Sequence, residues 1–243
     1  MSGTCVVTGA ASGIGRATAL HLLATGTRVV AVDLDGPGLA AAAGAGAAPL
    51  VADLTSPEGR RAIAAVPDVT GLVNAAGVIR LSRIADVTEE DWDAIHTVNA
   101  RAVFFLLQAL EDALGEGAAV VNVASIAGKT GSTVEAAAYG ASKAALLSLT
   151  RTFAHAWARR GVRVNAVCPG VVETPMNQVV LDGIARARGV TVESIEHARR
   201  DAIPLGRTAS ADEVARVIAF LLSSDAGYMT GQAVNVSGGL VTH

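Results

Sequence analysis

Short apolar segments alternate with longer segments of helical period along almost the whole sequence. The apolar segments are rich in valine, which is typical of strands that are buried on both faces of a parallel sheet. Seven strands are predicted: Thr4–Thr8, Arg28–Asp33, Pro49–Ala52, Gly71–Asn74, Ala118–Val123, Arg163–Cys168 and Ala233–Val236. Because helical segments connect consecutive strands, the expected fold class is α/β, a doubly wound sheet of mainly parallel strands with helices on both faces.

A single domain is expected over residues 1–243. This length is within the range of one α/β core, and neither an internal repeat nor a shift in composition marks a boundary. The alanine- and glycine-rich segment Leu39–Ala48 is predicted to be a short crossover helix. Only Met176–Arg200 breaks the alternation, so we expect a small helical substrate lobe at about residues 175–205, where open α/β sheets bind ligands.

Charge and composition exclude several classes of partner. The net charge is −3, with 19 Lys and Arg against 22 Asp and Glu, which leaves no basic surface typical of binding to nucleic acid or to a membrane. No leader or long apolar span is visible, so we expect a cytoplasmic protein with a small-molecule substrate. Cys5 and Cys168 are expected to be reduced packing residues, and the five histidines show no metal-ligand spacing.

A glycine-rich turn follows the first strand and precedes a predicted helix from about Gly13 to Ala24. Its glycines are suited to a tight turn at Gly9, close approach of a diphosphate at Gly13 and close packing of helix on strand at Gly15. Ser12 and Ile14 lie between them, at a helix start whose N–H groups and dipole favour phosphate. The pattern predicts a Rossmann-type dinucleotide site.

Asp33 ends the second strand at the distance where such sites place an acid on the adenosine ribose. Its carboxylate would accept hydrogen bonds from ribose hydroxyls and repel a 2′-phosphate, so the expected cofactor is NAD. Leu34 follows Asp33, and no arginine comes after it in this segment to bind such a phosphate. The alternative is that Asp33 caps the turn formed by residues 35–38.

Tyr139 and Lys143 are four residues apart in a predicted helix, Tyr139–Ala158, and therefore share one face. A nearby ammonium favours phenolate and is expected to lower the pKa of the phenol, so the pair is suited to proton exchange with an alcohol oxygen. Ser125 follows a predicted strand, where its hydroxyl would either bind a substrate oxygen or cap a turn. Asn99 lies in a helical segment, Trp92–Leu107, where asparagine is unfavourable and a polar role is expected.

The order and spacing of these motifs resemble the short-chain dehydrogenase/reductase family over essentially the whole chain. The matching motifs are Thr8–Gly15, Asp53-Leu54, Asn74–Gly77, Asn99, Ser125, Tyr139 with Lys143, and Pro169–Thr174. The resemblance implies that Tyr139 is the acid/base and that Ser125 orients the carbonyl. It also implies that Lys143 tunes Tyr139 and binds the nicotinamide ribose, and that Asn99 holds a water in the proton relay.

The same resemblance implies further cofactor contacts and a homotetramer assembled through the long helices and the C-terminal strand. Asp53 and Leu54 would contact adenine, Asn74, Ala75 and Gly77 would line the adenosine side, and Pro169, Gly170, Val172 and Thr174 would hold the nicotinamide amide. Two departures are visible. Ala75 replaces the family's usual second asparagine, and the 14-position separation of Ser125 and Tyr139 is one longer than usual.

Several alternatives stay open at this point. A serine hydrolase based on Ser125 lacks the leading glycine of a nucleophile elbow, and a protein that binds NAD without catalysis would not need the complete tetrad. Among substrates we expect a small polyol, cyclitol or hydroxyketone, with a 3-oxoacyl-thioester reductase as the runner-up. The loop 131–135 offers hydroxyls and the Glu135 carboxylate, which would either bind substrate hydroxyls or be solvated.

Overall fold

A parallel sheet lies at the centre of the computed structural model, which describes residues 3–243. The strands are β1 Thr4–Thr8, β2 Arg28–Asp33, β3 Ala48–Val51, β4 Val69–Asn74, β5 Ala119–Val123, β6 Arg163–Pro169, β7 Val172–Glu173, β8 Ala209–Ser210 and β9 Ala233–Val236. Seven of them form the main sheet in the order β3-β2-β1-β4-β5-β6-β9, and β7 pairs with β8. The order reverses between β1 and β4, which opens a crevice at the C-terminal ends of the strands.

Helices cover both faces of the main sheet. They are α1 Gly13–Ala24, α2 Ala40–Gly44, α3 Pro57–Ala64, α4 Glu89–His96, α5 Ala102–Ala109, α6 Ala127–Thr130, α7 Ala137–Trp157, α8 Pro175–Arg188, α9 Val192–Asp201 and α10 Ala211–Leu222. One apolar core includes Leu22 of α1 and Ile218 of α10, and the opposite core includes Leu106 of α5 and Trp157 of α7. No helix within residues 3–243 is both long and apolar enough to cross a membrane.

The predicted doubly wound sheet of seven parallel strands is confirmed, with differences at several element boundaries. The crossover helix expected over Leu39–Ala48 is α2, which ends at Gly44 and leaves Ala48 as the first residue of β3. Strand β4 begins at Val69 instead of Gly71. The pair β7 and β8 was not predicted, because two-residue strands carry no periodicity that a sequence pattern would reveal.

The segment Met176–Arg200 consists of two helices. Helix α8 ends at Arg188 and is followed by Gly189, whose φ of +65° favours glycine, and Thr191 caps the start of α9 by accepting a hydrogen bond from Ser194 N–H. Leu181, Ile184 and Ala185 of α8 pack with Ile195 of α9 in a separate apolar cluster. This cluster gives the segment its own small core above the C-terminal edge of the main sheet.

Candidate active site

A cavity of about 780 Å³ lies at the C-terminal edge of the main sheet. It extends from the turn after β1 to helix α8, so the glycine-rich turn and Tyr139 open into the same space. Of the predicted site residues, those that line it are Gly9, Ser12, Gly13, Ile14, Gly15, Asp33, Leu34, Asp53, Leu54, Ala75, Gly77, Ser125, Tyr139, Lys143, Pro169, Gly170, Val172 and Thr174. Asn74 and Asn99 lie behind this wall.

The turn between β1 and α1 has the geometry of a phosphate cradle. Gly9 has a φ of +68°, and a Cβ on Gly15 would lie 2.1 Å from the carbonyl oxygen of Gly9, so α1 approaches the strand as only glycine permits. Ser12 caps α1 without a side-chain hydrogen bond, and no acidic residue occupies the first turn. The N–H groups at the start of α1 therefore remain available to an anion, which fits the diphosphate of a nicotinamide dinucleotide.

Asp33 stabilises the turn that follows it, which is the alternative considered from sequence, and its contact with a ribose stays a prediction. Its Oδ1 accepts a hydrogen bond of 3.0 Å from the Asp35 N–H, which stabilises the following turn. Its Oδ2 accepts a hydrogen bond of 3.0 Å from the Ala11 N–H, which joins the carboxylate to the glycine-rich turn. Each carboxylate oxygen retains a further acceptor site, and the residue lines the cavity.

Asp53 lies on the cavity wall with one oxygen already engaged. Its Oδ1 accepts hydrogen bonds from the Thr55 N–H at 2.8 Å and the Thr55 hydroxyl at 2.7 Å. This arrangement is an Asx turn that ends the segment after β3. The other carboxylate oxygen is the one that the local structure leaves for a ligand.

Asn74 lies inside the sheet and does not reach the adenosine side of the cavity. Its Nδ2 donates to Asn122 Oδ1 at 2.8 Å, and Asn122 Nδ2 donates to the Thr150 hydroxyl at 2.9 Å. All three side chains are buried. The network ties β4 to β5 and α7, so the expectation of a direct cofactor contact gives way to a structural role for this side chain.

Asn99 lies in a π-helical turn, Thr97–Arg101, which joins α4 to α5 where one regular helix was predicted. Its Oδ1 accepts from the Val78 N–H at 2.8 Å, and its Nδ2 donates to Val78 O at 2.9 Å and to the Ser142 hydroxyl at 3.0 Å. Ser142 in turn donates to Tyr139 O at 2.7 Å. The amide thus holds the wall around Val78 and the start of α7, and its contact with a water of the proton relay stays a prediction.

Tyr139 and Lys143 lie on one face of α7, as predicted, with the ammonium 5.6 Å from the centre of the phenol ring. Lys143 Nζ donates to Val123 O at 2.8 Å. Burial raises the pKa of Tyr139 to about 12, against the opposing effect of a hydrogen bond with Ser125. The pKa of this phenol is therefore raised and not lowered as predicted, because desolvation of the phenolate outweighs any stabilisation by the ammonium, which binds a carbonyl.

Ser125 stabilises a turn, as one of the two roles considered for it requires, and its binding of a substrate oxygen stays a prediction. Its hydroxyl oxygen accepts a hydrogen bond of 3.1 Å from the Ala127 N–H in the turn before α6, and the same side chain lines the cavity beside Tyr139. His96 bonds to Trp92 O, and neither His96 nor His155 lines the cavity. A hydrolase mechanism based on Ser125 and either histidine is therefore wrong.

The structure corrects the sequence prediction for two charged residues on the substrate side: the role of Glu135 was wrong, and Arg199 was not predicted to line the site. Glu135 is buried and accepts hydrogen bonds from Arg188 Nε at 2.7 Å and Arg188 Nη2 at 3.0 Å, so its carboxylate is neither solvated nor free for a substrate. This ion pair joins the loop before α7 to α8. Arg199 lines the cavity, although no sequence signal distinguished it from the other charged residues of α9.

Comparison with known proteins agrees with this geometry. A family model described as enoyl-(acyl carrier protein) reductase matches residues 9–241. The (3R)-3-hydroxyacyl-CoA dehydrogenase of Mus musculus is 37% identical, with 98% of this chain and 96% of that protein covered.

Two solved structures share the fold over nearly the whole chain. A short-chain dehydrogenase/reductase, glucose/ribitol dehydrogenase, from Brucella melitensis has a TM-score of 0.89 at 34% identity and covers 99% of this chain and 97% of its own. A putative 2-deoxy-D-gluconate 3-dehydrogenase from Agrobacterium tumefaciens, with bound NADP, has a TM-score of 0.83 at 32% identity and covers 98% and 96%. With the cradle, the Ser125–Tyr139–Lys143 cluster and these relatives, the chain belongs to the short-chain dehydrogenase/reductase family and is an oxidoreductase acting on CH–OH groups.

Proposed function

We propose that this protein transfers a hydride between NAD(H) and a small secondary alcohol or ketone that carries further hydroxyls or a ring. The observation that carries the proposal is the placement of Tyr139, Ser125 and Lys143 in one cavity with the glycine-rich turn. When bound, the nicotinamide accepts or supplies the hydride. The alcohol is oxidised to the ketone as the hydroxyl proton leaves for the protein.

The protein's own part in the reaction is to position the oxygen and move its proton. In the reductive direction Tyr139 donates its phenolic proton to the carbonyl oxygen while Ser125 donates a hydrogen bond to the same oxygen. In the oxidative direction the phenolate accepts the hydroxyl proton. The ammonium of Lys143 stabilises that phenolate, and its position 3.4 Å from where a Gly77 Cβ would lie places it at the cavity wall.

Charge around the cavity supports NAD as the cofactor. Among the described residues that line it, the acidic ones are Asp33, Asp35 and Asp53, and the basic ones are Lys143 and Arg199. All three acids belong to the ends of β2 and β3, where the adenosine would lie, whereas both bases belong to α7 and α9. A ribose 2′-phosphate at the adenosine end would meet carboxylates without a cation to balance it.

Substitution of Asp33 tests this cofactor preference. Asp33→Asn removes the charge and retains an acceptor for the Ala11 N–H, and Asp33→Ser also shortens the side chain. We expect each variant to narrow the ratio of kcat/KM for NADH over NADPH by about 10- to 100-fold, since like charges no longer oppose the 2′-phosphate. Equal kcat/KM for the two cofactors in the wild type would contradict the proposal.

A second candidate function is the reduction of a 3-oxoacyl thioester, which the 37% identity to (3R)-3-hydroxyacyl-CoA dehydrogenase favours. The two-helix segment supports the small-substrate proposal, because it forms part of the cavity wall and limits the space for a substrate. The Glu135–Arg188 ion pair and the apolar packing of α8 on α9 hold this segment in place. Ser132 and Thr133 line the same side and offer hydroxyls to a polar substrate.

Kinetics on matched panels decide between the two candidates. Initial rates would be compared with NADH for cyclic diones, small hydroxyketones and keto sugars on one side and for acetoacetyl-CoA and longer 3-oxoacyl-CoA thioesters on the other. We expect higher kcat/KM for the small compounds. Far higher kcat/KM for the thioesters would establish the second candidate.

We further propose a homotetramer in the cytoplasm. Strand β9 is at the edge of the main sheet, and the aromatic rings of Phe220 and Tyr228 are exposed near it. An unpaired edge with exposed aromatic rings is a surface that a second copy would cover. Light scattering during gel filtration is expected to give four chain masses. The free, buried thiols of Cys5 and Cys168 accord with a reducing compartment.

A further inference from the structure

Arg199 is a partly buried cation in the wall of the cavity. Its Nη1 is shielded from solvent and has no hydrogen-bond partner among residues 3–243. Partial burial lowers the pKa of its guanidinium. A guanidinium N–H group that is shielded from water without gaining an acceptor is unfavourable, so the position requires an explanation.

The neighbouring charges of the lobe do not supply that explanation. Arg188 binds Glu135, Arg200 binds Glu196 at 2.7 Å, and His197 lies 3.1 Å from Asp201. Glu135, Glu196 and Asp201 are thus already in contact with other side chains. Arg199 differs from all of them in that it faces the cavity.

The surroundings of Arg199 are apolar. It lies one helical turn after Ile195, which packs against α8, and it shares the cavity wall with Val180 and Ile184 of that helix. In such surroundings a single guanidinium binds an anion strongly, because little water competes for it. The planar fork of donors matches a carboxylate in particular.

We infer that Arg199 binds a carboxylate on the substrate, so that the physiological substrate is a hydroxy acid or its oxo acid. The inference rests on the proposed function, since it places the reacting carbon at Tyr139 and the acid group at α9. The start of α1 offers the diphosphate its own donors, so the cofactor does not need this arginine.

The experiment compares Arg199→Met with the matched control Arg200→Met. Arg200 is the next residue, and in the wild type it is exposed and paired with Glu196. The substrates are acetoacetate and 4-oxopentanoate, each measured beside its uncharged methyl ester, with NADH. For the wild type and Arg200→Met we expect higher kcat/KM for the acids. For Arg199→Met we expect KM for the acids to rise about 10- to 100-fold, the size expected of a charge-assisted hydrogen bond, with the esters changed less than about threefold.

Two binding measurements separate the inference from the proposed function. Malonate alone is expected to raise the Tm of the wild type and Arg200→Met but not of Arg199→Met, and the Kd of NADH is expected to be the same in all three. Equal preference for acid and ester in the wild type, retention of the preference in Arg199→Met, or a weakened Kd for NADH in that variant would each overturn the inference. If the wild type reduces none of the ketones, the proposed function fails. The carboxylate site is overturned independently if malonate does not raise the Tm of the wild type.

Discussion

Replacement of Tyr139 by phenylalanine is expected to lower turnover by ~10²–10⁴-fold, the usual cost of losing a general acid/base. The phenyl ring keeps the place of the phenol on α7, so the fold and the cavity are retained, while the proton donor beside Ser125 is lost. The Kd of NADH, measured by its fluorescence, is expected to change little. Tyr228→Phe is the matched control because that side chain is fully exposed. Near-normal turnover in Tyr139→Phe would remove the residue from the mechanism.

The pH dependence of alcohol oxidation by the wild type and by Tyr139→Phe tests the same role of Tyr139. Burial raises the pKa of Tyr139 to about 12, so the proton-donating form is present throughout the neutral range and the phenolate is scarce. Alcohol oxidation by the wild type, which needs the phenolate, is therefore expected to accelerate as pH rises from 6 to 9. In Tyr139→Phe the residual oxidation rate is expected to lose this dependence.

The local geometry of the site was predictable from the chain because short-range rules govern it. The four-residue spacing of Tyr139 and Lys143 places them on one face of any α-helix. The glycines after β1 are required wherever a helix start approaches a strand so closely, as the 2.1 Å clash of a Gly15 Cβ with Gly9 O illustrates. The end of β2 at Asp33 follows from the same alternation that predicted the sheet.

Long-range partners were not predictable in the same way. The sequence indicated only that Asn99 is an unfavourable residue within a helix. Its hydrogen bonds to Val78 and Ser142 join residues 21 and 43 positions apart, and it lies in a π-helical turn that no sequence pattern predicted. Glu135 gave no sign that its partner would be Arg188, 53 residues later. Likewise, the unpartnered Nη1 of Arg199 is visible only in the folded chain, where Glu135, Glu196 and Asp201 contact other side chains.

Burial also reversed one electrostatic expectation. The sequence places a cation one helical turn from the phenol, which alone would lower the pKa of Tyr139. The folded chain removes both groups from water, and burial lowers the pKa of Lys143 to about 8 while it raises that of the phenol. Desolvation depends on the surrounding packing, and no spacing rule reports it.

Lys143→Met is expected to lower turnover by about 10²- to 10³-fold and to weaken NADH binding together with it. Methionine keeps the buried stem in place, but the cation 5.6 Å from the Tyr139 ring and the donor to Val123 O are lost. This lysine lies in the cavity wall between the phenol of Tyr139 and Gly77, which is predicted to contact the cofactor. Its loss is therefore expected to slow proton transfer and to weaken NADH binding. Lys129→Met is the control, since Lys129 bonds to Ala233 O outside the cavity.

The pH dependence of ketone reduction tests whether Lys143 acts through its charge. Burial lowers the pKa of Lys143 to about 8, so the ammonium is present below that pH and is lost as pH rises through it. Tyr139 remains protonated over the same interval because its pKa is about 12. The wild type and Lys129→Met are therefore expected to lose reductive kcat/KM above about pH 8, whereas Lys143→Met is expected to be flat there. An alkaline decline that persists unchanged in Lys143→Met would show that another group carries it and that the lysine acts only by packing.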